Sequence, residues 1–97
     1  MESRTARTAA DLGAHLATWR KLQGLTAQQV AERAGITRGT LRRLETGETP
    51  VGTDTLIGVV RALGLTNRLI DALDPYETDF GRARANVRLP QRVRNAR

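Results

Sequence analysis

Apolar side chains recur at helical spacing along most of the chain, and short polar breaks separate the runs. The runs predict five helices, which start near residues 9, 27, 37, 53 and 67. Each of the first four is followed by a glycine suited to a helix end: Gly24, Gly35, Gly47 and Gly64. Residues 1–8 and 76–97 show no such period. We therefore predict a flexible N-terminal arm, a compact all-α domain over residues 9–75 and a flexible C-terminal tail.

The core of this domain is predicted to be aliphatic, because the 97 residues include only three aromatic ones. Trp19 follows Leu16 at helical spacing on the first helix, and we expect it to make the largest single contribution to the core. His15, the only histidine, lies beside Leu16 on the same helix, where a half-buried structural role is expected. An enzyme needs a convergent set of acid, base or nucleophile groups, and the sequence shows no such set around this histidine. No catalytic residue is therefore predicted.

The net charge of +6 is distributed unevenly along the chain. Residues 1–80 contain ten basic and ten acidic residues, and the whole net charge comes from six arginines within residues 81–97. Inside the neutral part, residues 20–43 carry a local charge of +5 and residues 44–80 a local charge of −5. This alternation indicates a polyanionic partner, and nucleic acid is the first candidate.

Missing residue types exclude several other classes of function. The chain has no cysteine, which removes disulfides, thiolate nucleophiles and the common structural zinc sites. Four carboxylates lie close together in sequence, one within the fifth predicted helix and three after it, but their spacing matches no calcium loop, and no metal or other cofactor is predicted. These are Asp71, Asp74, Glu77 and Asp79. Neither a secretory leader nor a membrane-spanning apolar run is visible, so we expect a cytoplasmic protein.

Residues 25–47, LTAQQVAERAGITRGTLRRLETG, combine the features of two short helices joined by a tight turn. Thr26 and Thr37 are placed to cap the two helices, and Gly35 supplies the left-handed turn between them. Ala31 is small where the helices cross. The residues expected to point inward are Val30, Ile36, Leu41 and Leu44. The residues left outward on the second helix are Arg38, Gly39, Thr40, Arg42 and Arg43.

This segment resembles the helix-turn-helix of the Xre family, which includes the phage Cro and repressor domains. The resemblance implies a five-helix, lambda-repressor-like fold. It also implies binding to double-stranded DNA, with residues 37–46 as the recognition helix in the major groove. The function implied is that of a dimeric transcriptional repressor that reads a pseudo-palindromic operator.

The same resemblance assigns roles to individual residues. In the family, bases are contacted by the first two residues after the recognition-helix cap and by a residue two turns along the exposed face; here these are Arg38, Gly39 and Arg43. We expect Arg38 and Arg43 to read bases, each through a bidentate bond to guanine worth about 1–3 kcal/mol of discrimination. The other residues of the predicted interface are Thr37, Thr40 and Arg42, which we expect to hold phosphates, and Thr26 and Gln28 on the preceding helix.

Two positions depart from the family pattern. Ala27 stands where the family often has a glutamine that holds a phosphate and braces the recognition helix, and Gln28 follows one place later. Gly39 removes a side chain from a reading position. Direct reading of bases is therefore expected to involve few side chains, with DNA shape or the basic tail supplying the rest.

The region after Gly47 is similar to that of the HipB-like antitoxins within the Xre family, through the turn with Pro50 and the helix TDTLIGVVRALGL at 53–65. This similarity implies an alternative function, an antitoxin that binds a HipA-like kinase toxin and autoregulates its operon. In those antitoxins a strand that pairs across the dimer comes next, so residues 66–73 are either that strand or a fifth helix. Ile70 is the only β-branched residue within 67–73, and we predict a helix.

The basic tail supports three interpretations: contact with DNA phosphates, contact with a partner protein or dimer mate, or an unbound solubilising segment. Scattered apolar residues, among them Tyr76 and Phe80, are the anchors that the second interpretation requires. The arginines assigned to DNA or partner contacts are Arg82, Arg84, Arg88, Arg92 and Arg94.

Overall fold

The structure, a computed structural model, describes residues 3–48, 50–87 and 89. The α-helices in that part of the chain are α1 Arg4–Leu22, α2 Ala27–Ala34, α3 Arg38–Thr46, α4 Thr53–Ala62, α5 Thr66–Leu73 and α6 Asp79–Ala83. A 3-10 turn, Pro75–Glu77, lies between α5 and α6, and the described residues contain no strand. The all-α class is confirmed, and residues 66–73 form a helix, as predicted.

The helices fall into two units, residues 1–67 and residues 68–97, and the division lies within α5. In the first unit α3 packs against α1 and α2, and α2 also packs against α4. The buried core of this unit is wholly aliphatic and consists of Leu16, Val30, Ala31, Leu41, Leu44, Val59, Val60 and Leu63. In the second unit α6 packs against the 3-10 turn.

The part that α1 plays in the core differs from the prediction. α1 approaches the end of α3 closely at Gly13, where an added Cβ would lie 2.7 Å from the carbonyl oxygen of Glu45. Gly13 and Leu16 are the buried residues of α1. Trp19 is only partly buried and is not one of the fully buried core residues, and its expected largest single contribution to the core stays a prediction. His15 is exposed rather than half-buried.

α1 begins earlier than the sequence predicted, whereas α4 begins at the predicted residue with a different cap. α1 begins at Arg4, because the hydroxyl of Ser3 accepts a hydrogen bond from the backbone N–H of Ala6 at 3.0 Å and caps the helix. Residues 4–8, predicted as part of a flexible arm, are thus helical. Thr53, the residue next to the loop, is the first residue of α4, and Gly52 occupies the cap without a side-chain hydrogen bond.

The predicted absence of regular structure after residue 75 is also wrong for part of that segment. The Asp74 carboxylate accepts a hydrogen bond from the N–H of Tyr76 and starts the 3-10 turn. The hydroxyl of Thr78 accepts from the N–H of Gly81 at 3.0 Å and caps α6. Gly81 is buried against the carbonyl of Pro75, which is why α6 forms despite lacking an apolar period.

Candidate nucleic-acid interface

The start of α2 is held by a reciprocal pair of hydrogen bonds. The hydroxyl of Thr26 accepts from the N–H of Gln29 at 3.0 Å, and the Gln29 side chain accepts from the N–H of Thr26 at 2.9 Å. Gln28, next along the helix, is exposed and donates through its side-chain amide to Glu32 at 2.9 Å. Thr26 and Gln28 thus both lie on the surface at the first turn of α2, where the sequence predicted contacts with DNA.

The turn between α2 and α3 has the geometry that the sequence predicted. Gly35 adopts a left-handed conformation with φ of 72°, and the N–H of Ile36 donates back to the carbonyl of Ala31. Thr37 caps α3, because its hydroxyl oxygen accepts from the N–H of Thr40 at 3.1 Å. The hydrogen bonds of this turn and of the Thr37 cap therefore fix the position of the first turn of α3.

The two sides of α3 differ sharply in burial. Leu41 is fully buried and Leu44 nearly so, at 0% and 7% exposure. The opposite side carries Arg38, Gly39, Arg42 and Arg43, which are all exposed, and Thr40, which is partly exposed. The helix therefore presents a row of cationic side chains to solvent and is anchored along its whole inner side.

An ion pair from α1 braces the far end of α3. The guanidinium of Arg20 donates through Nε to Oε2 of Glu45 at 2.8 Å and through Nη2 to Oε1 at 3.1 Å. Its Nη1 also donates to the carbonyl of Leu25, at the approach to α2, at 3.2 Å. The hydrogen bond to Glu45 raises the pKa of Arg20 above its ordinary value, although partial burial acts in the opposite direction. One side chain thus connects α1 to α3 and to the segment that leads into α2.

Arg38 and Arg42 flank a groove on the exposed side of α3. It is lined by Ala27 at the start of α2 and by Arg38, Gly39, Arg42 and Glu45 of α3. The two arginines are four residues apart, so they lie on the same face of the helix. Neither guanidinium makes a hydrogen bond or an ion pair with any described residue, whereas Glu45 is held by Arg20. The groove is therefore positively charged.

Arg43 points its guanidinium at the loop that follows α3. Its Nη2 donates to the carbonyl of Pro50 at 2.8 Å, and its Nε lies 3.9 Å from Oε1 of Glu48. The sequence placed Arg43 with Arg38 among the base-reading residues. The structure brings Arg42, not Arg43, into the groove with Arg38.

A model of the helix-turn-helix domain family matches residues 11–73, which is well over half of the chain. The chain belongs to the helix-turn-helix domain family. No match to a curated protein is found. Because domains of this family bind DNA through their second helix, the chain is a DNA-binding protein of the regulator class, with α2 and α3 as the two helices of the motif.

The C-terminal arginines lie apart from the helix-turn-helix in the sequence. Arg82, in α6, lies 3.8 Å from Glu77 and 3.7 Å from Asp79, and all three side chains are largely exposed. The guanidinium of Arg84 stacks 3.9 Å above the ring of Phe80. The three other arginines predicted to contact DNA or a partner, Arg88, Arg92 and Arg94, lie outside the described residues.

Metal sites and membrane spans are both absent from the described part of the chain. Among the residues that the structure describes, no group of His, Asp and Glu side chains is placed to hold a metal ion. Within the same residues, no helix is both long enough and apolar enough to span a membrane.

Proposed function

We propose that the protein is a transcriptional repressor of the Xre class that binds a specific double-stranded DNA sequence with the first turns of α3. The observation that carries this proposal is that Arg38 and Arg42 are exposed on one side of α3, without a hydrogen bond or ion pair to any described residue, while Leu41 and Leu44 are buried on the other side. A helix whose inner side is buried in the core and whose outer side carries exposed arginines is suited to a major groove about 12 Å wide. This function places the protein in the cytoplasm with its DNA and requires no catalytic group or cofactor.

Individual roles follow from which side chains are free. We assign base reading to Arg38 and, in place of Arg43, to Arg42, since the guanidinium of Arg43 is bonded to Pro50. Arg43 then positions the loop between α3 and α4. The polar residues at the starts of the two motif helices are assigned to phosphates, which fix the register of the protein on DNA. These are Thr26, Gln28, Thr37 and Thr40.

Binding to a duplex selected by the parent protein from a random pool tests these roles. Arg38→Ala and Arg42→Ala are each expected to weaken binding by about 5- to 150-fold, the equivalent of about 1–3 kcal/mol, and to relax the base preference at one position. Arg61→Ala, which removes an exposed arginine of α4, is the matched control and should bind like the parent. Parent-like affinity and selectivity in both α3 variants would reject the assignment.

We also propose that the repressor acts as a homodimer on two half-sites about 34 Å apart, one turn of the double helix. One motif contributes few base contacts, because Gly39 has no side chain and Arg43 is engaged elsewhere. Two motifs double those contacts. Sedimentation measures the oligomeric state of the free protein, and binding assays compare its affinity for a full operator with that for a half operator. Equal affinity for both duplexes would contradict the dimer.

A second candidate function is that of an antitoxin that binds a kinase-like toxin protein, and one observation favours it. In the second unit, the side chains of Leu73, Tyr76 and Phe80 are 76%, 47% and 69% exposed. Exposed apolar side chains close together in sequence are typical anchors for a protein partner. Co-expression with the product of the neighbouring gene and recovery of a complex tests this function, and Phe80→Ser should weaken that complex while leaving DNA binding intact.

The arginines from Arg82 to Arg94 are proposed to bind either DNA phosphates or that partner. If they hold phosphates, replacing Arg88, Arg92 and Arg94 together by glutamine lowers the slope of log affinity against log salt by about 0.9 for each phosphate that is no longer neutralised. An unchanged slope with a weakened protein complex would assign them to the partner instead.

A further inference from the structure

The structure explains why glycine occupies each of its positions in the chain, with one exception. Four adopt a positive φ that other residues rarely adopt: Gly24, Gly35, Gly47 and Gly64. Three lie against backbone atoms of a neighbouring segment, where a Cβ would collide or be crowded: Gly13, Gly58 and Gly81. Gly52 is the N-cap of α4, a position that glycine tolerates well. Gly39 falls into none of these groups.

Gly39 is the second residue of α3 and is exposed. Its φ is not positive, and an added Cβ would meet only the hydroxyl oxygen of Thr37, at an ordinary contact distance of 3.9 Å. Alanine is therefore sterically allowed at this position, and it is the better helix former. Since the fold gains nothing from a glycine here, the reason for it lies outside the fold.

The surroundings of Gly39 indicate what that reason is. Gly39 and Ala27 line the groove between the starts of α2 and α3, and neither offers a side-chain hydrogen-bonding group. Arg38 and Arg42 line it as well, and neither pairs with another residue in the part of the chain that the structure describes. Its volume is about 390 Å³. That is within the range of about 300–1,000 Å³ found for sites that hold small organic molecules, so a methyl group at the edge of a base has room there.

We propose that Gly39 is a specificity-determining position, at which the missing side chain lets the C5-methyl edge of a thymine enter the groove over Ala27. Thymine alone presents a methyl group in the major groove, and alanine is a typical contact for it. Arg38, adjacent to Gly39, then bonds the O6 and N7 of a neighbouring guanine. This inference rests on the proposed DNA binding and deepens it by naming a thymine next to a guanine in each half-site.

Two measurements test the inference. The first uses the parent protein and the selected duplex, with each thymine replaced in turn by deoxyuridine, which removes only the methyl group. One position in each half-site should lose about 4-fold in affinity, the effect of exposing one buried methyl group. The second compares Gly39→Ala with the parent. Its thermal midpoint should be equal or higher, while its affinity falls by about 5-fold or more and its response to deoxyuridine disappears.

The possible outcomes separate this inference from the proposed function. If Gly39→Ala binds like the parent, or if no deoxyuridine position weakens parent binding, the inference is overturned. Loss of affinity in Arg38→Ala would then still support DNA reading by α3. A parent protein without any sequence preference would reject the proposed function and this inference together. Because the deoxyuridine scan needs no variant, a folding defect in Gly39→Ala leaves the inference open to refutation.

Discussion

The ion pair between Arg20 and Glu45 is predicted to be a main determinant of stability. Its two side chains are only 14% and 13% exposed, and two hydrogen bonds of 2.8 and 3.1 Å join them. Arg20→Met keeps most of the aliphatic stem but removes both of these bonds and the third one, to the carbonyl of Leu25. It also leaves the Glu45 carboxylate largely buried without its partner.

The size of the effect follows from these interactions. A hydrogen bond to a charged group contributes about 1.5–3 kcal/mol, and removing one partner of a fully buried pair costs about 3–5 kcal/mol. The residual exposure of Glu45 lets water replace part of the missing hydrogen bonding, so we expect Arg20→Met to lower the free energy of unfolding by about 3 kcal/mol. For a domain of this size, that corresponds to a fall in Tm of about 12–24 °C.

Urea and thermal unfolding followed by circular dichroism and by the fluorescence of Trp19 measure this destabilisation. Arg82→Met is the matched control, because the ion pairs of Arg82 are largely exposed and should contribute less than about 1 kcal/mol. A double-mutant cycle with Glu45→Met isolates the coupling, which we expect to exceed about 1 kcal/mol. A destabilisation below about 0.5 kcal/mol in Arg20→Met would refute the reasoning.

The pH dependence gives a second check on the same pair. The pKa of Arg20 is higher in the folded chain than in the unfolded one, chiefly because of its hydrogen bond to Glu45. A group with a raised pKa contributes its full stabilisation below its unfolded pKa and loses it only as the pH rises through the folded value. The difference in stability between parent and Arg20→Met should therefore stay constant from about pH 7 to about pH 10. A decrease in this stability difference within that pH window would contradict the assignment of the stabilisation to the charged Arg20.

Three further substitutions test the packing and capping around α3. Gly13→Ala forces a Cβ against the carbonyl oxygens of Leu44 and Glu45 and should cost about 3 kcal/mol in urea unfolding; parent-like stability would show that α1 and α3 separate easily. Val30→Ala, at a fully buried position of α2, should cost about 2 kcal/mol, and a negligible effect would argue against a close-packed aliphatic core. Thr37→Ala removes the cap of α3 and should cost about 1 kcal/mol, whereas Thr37→Ser should not.

The segment from α2 to α3 was predictable because its determinants are local. Thr26 and Thr37 cap the helices that follow them, and Gly35 and Gly47 end them in left-handed conformations. Each of these effects depends on residues within about one helical turn, so the sequence alone contains the information. The same holds for α5, where the helical spacing of apolar residues favours helix over strand.

The rest was not predictable, because it depends on residues distant in sequence or on weak local patterns. Arg20 and Glu45 are 25 residues apart, and nothing in their spacing indicates a pair. The close approach of α1 to α3 at Gly13 likewise joins residues that are distant in sequence. α6 depends on the cap by Thr78, which apolar periodicity does not reveal.

Among the basic residues of the 20–43 segment, two lie beside acidic side chains and two line the groove. Arg20 is neutralised by Glu45, and Arg43 lies close to Glu48; both acids come after residue 43 in the chain. These pairs reduce the local charge of +5 that the sequence shows to about +3 at the surface. The guanidinium groups of Arg38 and Arg42, at the groove, are paired with none of the residues that the structure describes. On the proposed function, one motif therefore specifies a short base sequence but neutralises few phosphates, and its affinity depends on a second copy of the motif or on the C-terminal arginines.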